Sequence, residues 1–111
     1  MKSILVALVL LLSLSLYAQT SGDKPAPKNL QVLPAGVDLH AVMSGFTAGL
    51  GVKCFYCHVQ GNFAGDDNPN KNVARTMIKI VRSVNAMLPA GTSPVSCYTC
   101  HRGQEKPVSA P

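Results

Sequence analysis

The chain has 111 residues, with ten Lys/Arg against five Asp/Glu, a formal charge of +5, four Cys and no Trp. Such a length makes one domain. The basic balance does not point to nucleic acid, because the lysines are scattered and no stripe of interleaved basic and aromatic residues exists.

Residues 1–18 read as a signal peptide. Met1-Lys2 is a short positive start, Ile4 to Tyr17 is apolar apart from serines, and Ala18 offers a small residue at a cleavage point. The apolar run is shorter than the roughly 20 residues that span a bilayer, which disfavours an uncleaved anchor. Export to the periplasm with cleavage near Ala18 is expected. Residues 19–37 contain Pro, Gly and Lys without periodicity and read as a flexible tether around a turn at Pro34-Ala35-Gly36.

Residues 38–106 are expected to be the folded domain, and it reads as all-α. Asp38 is a good N-cap, and Leu39, Met43, Phe46 and Leu50 follow at i, i+4, i+7 and i+11. This helix should stop near Gly49–Gly51. Gly45 and Gly49 each cost about 1 kcal/mol relative to Ala, and one reason to keep them is close approach of a flat group to the helix. The chain then turns through Val52-Lys53 into Cys54-Phe55-Tyr56-Cys57-His58.

Val59 to Asp67 reads as a loop, followed by Asn68 as cap and Pro69 in the first turn of a second helix. Val73, Met77, Ile80, Val84 and Leu88 make its apolar stripe, and Pro89 and Gly91 stop it. Asp66 and Asp67 stand just before its positive end, where carboxylates are favoured. Thr92 to Ser96 lead into Cys97-Tyr98-Thr99-Cys100-His101, and residues 107–111 read as a disordered tail. No segment alternates convincingly at period two, so little strand is expected.

The recurring C-x-x-C-H carries the chemistry, because it is the attachment signature of c-type haem. Two thiols three residues apart can reach both vinyl groups of one porphyrin and form thioethers. The adjacent histidine is then held beneath the iron as its proximal ligand. A zinc ribbon would set its two C-x-x-C units roughly 15–20 residues apart, far closer than Cys57 and Cys97. A thioredoxin-like site needs one C-x-x-C in a βαβ context, which is missing, and plain disulfides leave His58 and His101 unexplained. Two covalent haem c groups follow, through Cys54, Cys57 and His58 and through Cys97, Cys100 and His101. They would also staple a domain whose own supply of large apolar residues is small. Four propionates would cancel most of the positive charge left after residues 1–18.

The runs LHAVMSGFTAGLGVKCFYCH, FAGDDNPNKNVARTMIKIVRSVNAML and VSCYTCHRG resemble the cytochrome c subunit family of photosynthetic reaction centres. The resemblance covers residues 38–106. It implies a small multihaem c-type cytochrome of two helix–turn–C-x-x-C-H units, with each haem parallel to a helix whose methionine is the sixth ligand. On that pattern Met43 binds the iron held by His58, and Met77 the iron held by His101. The reaction-centre subunit carries four haems, whereas this chain has two motifs and looks like half of it or a free-standing relative.

Helix methionines are more often packing residues than ligands, which is the competing reading of Met43 and Met77. Met87 is the rival ligand to Met77, with contact at a haem edge as its plainer role. His40, one turn before Met43, reads as a solvated helix-start histidine, with axial ligation in its own or a neighbouring subunit as the alternative. Tyr56, Tyr98, Phe46 and Phe55 are expected to wall the porphyrins. The expected function is electron carriage between redox partner proteins, membrane-bound ones and association with a membrane surface included. The alternatives are a dihaem enzyme with an open iron, of peroxidase or nitrogen-oxide reductase type, and a haem-wire structural subunit.

Overall fold

The structure, a computed structural model, describes residues 26–109. The signal peptide, the first part of the tether and the last two residues lie outside the described residues. The described part is helical, with one isolated bridge between Val59 and Asn62 and no strand.

Helix α1 runs Leu39–Leu50. Asp38 caps it by accepting from the Ala41 N–H at 3.1 Å, which satisfies one of the first-turn donors that lack helical partners. Gly51 ends it in the left-handed region at φ 66°, with its N–H bonded to the Thr47 carbonyl. A 3₁₀ turn, Cys54–Tyr56, follows. Helix α2 runs Pro69–Met87, with the Asn68 side chain accepting from the Asn70 N–H at 3.0 Å and Pro69 opening the first turn. Helix α3 is the short Cys97–His101. It starts where the Ser96 N–H donates to Thr99 Oγ1 at 2.9 Å.

Helices α1 and α3 pack together. A Cβ on Gly49 would lie 2.9 Å from the Cys97 Cβ and 3.1 Å from the Tyr98 nitrogen. The absent side chain is what lets α3 dock. At Gly49 the close approach is thus that of α3 rather than of a flat group. Nothing lies within 4 Å of a Cβ built on Gly45. The stripe Leu39, Met43, Phe46 and Leu50 is half-buried along its length.

Helix α2 buries its stripe only towards the C-terminal end. Val84 and Leu88 are half-buried, as are Ala74, Ile78, Val81 and Asn85 beside the stripe, whereas Val73, Met77 and Ile80 are 54%, 44% and 49% exposed. No large apolar side chain among the described residues is fully buried.

The segment read as a flexible tether is fastened at one point. The Asn29 amide donates to the Ala64 carbonyl at 2.7 Å and to Asp66 Oδ1 at 2.9 Å, and Gln31 reaches Asp66 Oδ2 at 3.2 Å. Arg75, the one buried charged residue among those described, closes this cluster with a 2.7 Å ion pair to Asp66. Asp66 is thus a hub for side chains rather than a free charge before a helix dipole.

Candidate functional site

Each C-x-x-C-H forms one tight turn. In the first, the Cys54 carbonyl accepts from the N–H groups of both Cys57 and His58, at 3.2 and 3.0 Å. Side chains three apart eclipse in a 3₁₀ turn, so Cys54 and Cys57 project on one side. In the second, the three-residue spacing does the same on α3. All four cysteines are free thiols. Partial burial pushes the Cys57 and Cys97 thiols up from their ordinary pKa.

The histidines are oriented alike by different means. His58 Nδ1 lies 2.9 Å from the Phe63 carbonyl, and its ring sits 5.0 Å from that of Phe63. His101 Nδ1 lies 3.1 Å from the Gln104 carbonyl and 3.0 Å from that of Glu105. A carbonyl oxygen only accepts, so Nδ1 must be the donor in both. In neutral imidazole the lone pair is then on Nε2, the nitrogen left to bind a metal. The return of the chain to His58 is made by the loop: Asn62 bonds back to Val59 at 3.0 Å around Gly61, which has φ 79°.

Helix α2 holds both motifs in place. At its start the Asn68 and Asn70 amides donate to the Tyr56 carbonyl, between the first pair of cysteines, at 3.1 and 2.9 Å. Near its end Asn85 grips the lead-in to the second motif from both sides. Its amide donates to the Val95 carbonyl at 2.9 Å and its oxygen accepts from the Val95 N–H at 2.8 Å. A hydrogen bond with the Glu105 carboxylate, four residues past His101, pushes the Tyr56 phenol's pKa up from its ordinary value.

The donor set fits haem c. Among the described residues, each motif presents two unpaired thiols on one side and an imidazole whose Nε2 makes no hydrogen bond. Among the described residues no three His, Cys, Asp or Glu side chains converge as ligands for one metal ion. Met43 is half-buried on the α1 stripe, and Met77 is exposed on the stripe of α2. Met87, on the same side of α2 as Met77, is 76% exposed, and His40 is exposed at the start of α1. Phe55 and Tyr98 are exposed, while Tyr56 and Phe46 are half-buried.

Phe63, Lys71 and Asn70 carry no mark in the sequence of the roles they play here; Asn85 alone does, as a poor helix former on an otherwise apolar helix face.

The chain matches the family described as photosynthetic reaction centre cytochrome C subunit over residues 24–110. It is 48% identical over 59 residues to the photosynthetic reaction center cytochrome c subunit of Thermochromatium tepidum, covering 51% of this chain and 15% of that protein. It is 39% identical over 85 residues to cytochrome c-554 of Chloroflexus aurantiacus, covering 69% of this chain and 20% of the relative. The photosynthetic reaction center cytochrome c subunit of Roseobacter denitrificans is 35% identical over 106 residues, covering 82% of this chain and 29% of its own length. The chain thus spans only 15% to 29% of the length of these relatives.

Proposed function

The chain belongs to the photosynthetic reaction centre cytochrome c subunit family and is a c-type cytochrome of electron transfer; on that premise we propose that it is an exported, periplasmic carrier with two haem c groups. The observation that carries this reading is the matched state of His58 and His101, each with Nδ1 spent on backbone carbonyls beside two free thiols. Cys54 and Cys57 would hold one haem, and Cys97 and Cys100 the other. Haem iron, when bound, supplies one-electron exchange between its ferric and ferrous states.

The chain's own residues do the rest. His58 and His101 present Nε2 at a fixed angle because their carbonyl partners hold the rings. Met43 and Met77 would be the sixth ligands, since each stands on an apolar stripe and Met/His is a standard cytochrome pair. Two thioethers in those positions exclude water and small substrates, which suits a carrier rather than an enzyme. The redox partners would be proteins, including membrane-bound ones, as the names of the relatives suggest.

The test is protein matured in a host with the c-type machinery. Mass spectrometry after denaturation should show two haem additions, and the electronic spectrum should not change with carbon monoxide. A chain with one haem, or with zinc, refutes the reading.

A further inference from the structure

The Phe63 carbonyl that orients His58 has a second donor. Lys71 Nζ lies 2.9 Å from the same oxygen, 2.6 Å from the Gly65 carbonyl and 3.5 Å from Asp66 Oδ1. An ammonium has three protons, and here three oxygens surround it. The Lys71 side chain is only 13% exposed, so water competes weakly for those protons. His101 is held otherwise: it has two carbonyl partners, Gln104 and Glu105, and neither has a lysine donor among the bonds found in the described residues.

We propose that Lys71 is a positioning residue for His58, weakening through the shared Phe63 carbonyl the acceptor on which the His58 Nδ1–H leans, and so raising the reduction potential of the haem on Cys54 and Cys57. The proposal rests on the two-haem reading above. Its physical basis is that hydrogen bonding at the outer nitrogen of a ligating histidine raises the basicity of the inner one. An electron-rich imidazole favours ferric iron. A cation on the acceptor draws off the oxygen's electron density, the Nδ1–H bond weakens, and the ferrous state gains. Asp66 supports the arrangement from behind, since it also binds Arg75 at 2.7 Å and fixes the loop that carries Phe63.

The experiment is a redox titration of the holoprotein followed by NMR, with the first haem identified by its Overhauser contacts to Phe63. In Lys71→Met the midpoint of that haem should fall while the other stays, and the His58 Nδ1–H resonance should shift with slower exchange into solvent. Lys71→Arg should restore both toward native. Lys71→Gln keeps donors for the loop without the charge, so it covers the case in which Lys71→Met does not fold, and it should also lower the midpoint. The shift should persist at high salt, because a buried hydrogen bond is screened much less than an exposed charge. An unchanged or raised midpoint overturns the proposal and leaves the two-haem reading standing. So does a fall that vanishes in salt with the His58 proton unmoved, since charge at a distance would then be the whole effect. A protein with no haem at Cys54 and Cys57 overturns both.

Discussion

The Gly103 N–H donates to the Gly49 carbonyl at 2.9 Å, tying the residue two past His101 to the last turn of α1. The same approach brings Gly103 against Gly51, where a Cβ would collide with the Gly103 carbonyl oxygen. The end of the second C-x-x-C-H is therefore locked onto the end of the helix that leads to the first. The two units interlock rather than follow one another like beads.

That lock predicts opposite outcomes for two glycine substitutions. Gly51→Ala meets both a positive φ and backbone that cannot step aside, and should cost well over about 1 kcal/mol. Gly45→Ala enters open space on a helix and should stabilise by about 0.5–1 kcal/mol. Thermal unfolding of the two holoproteins checks both. A destabilising Gly45→Ala would mean that something flat does lie against that side of α1.

Met43 and Met77 are tested by removal. Met77→Ala should open the iron on His101 to carbon monoxide without loss of haem, because the thioethers and His101 remain, and Met43→Ala should do so for the iron on His58. Met77→His should lower one potential and leave the other nearly unchanged, since imidazole stabilises ferric iron better than a thioether does. If both alanine variants keep native spectra and bind no carbon monoxide, these are packing residues. The sixth ligands must then be sought among His40, Met87 or a partner chain.

Asp66 makes a prediction in acid. Its carboxyl is held down to about 2 from an ordinary 3.8, first by the Arg75 hydrogen bond and then by that of Asn29. A lowered folded pKa means stability that is fully present above the unfolded value, near pH 4, and is lost as the pH falls toward 2. Asp66→Asn should flatten the acid limb of a stability–pH curve across that window. An unchanged limb would show that the cluster with Asn29 and Arg75 does not persist in solution.

Asn85 should matter more than its place in a helix suggests. Asn85→Ala strips both bonds from the Val95 backbone, and each part-buried group left unpaired costs about 1–3 kcal/mol. The lead-in to Cys97 should loosen, lowering haem occupancy at Cys97 and Cys100 relative to Cys54 and Cys57. Peptide mapping of haem-bearing fragments reads this directly. Equal occupancy in the variant would show that Asn85 does not position the second motif.

What the sequence by itself determined is local. Asp38, Gly51, Asn68 and Pro69 act within one turn of their own positions, so both bounds of α1 and the start of α2 could be read from them. The C-x-x-C-H spacing is likewise complete within five residues. What only the tertiary structure decided depends on where the loops travel. How far the stripe of α2 is covered is set by what packs on it, so periodicity could place Val84 and Leu88 with Val73, Met77 and Ile80 but not tell that the first two are half-buried and the other three exposed. Gly49 read as room for a flat group, but α3 fills that room after the chain has passed through all of α2. Nothing in the sequence sets Lys71 apart from the other scattered lysines; the loop after His58 brings the Phe63 carbonyl to it. The accepting end of such a bond has no signature in the sequence, because backbone carbonyls are the same at every position.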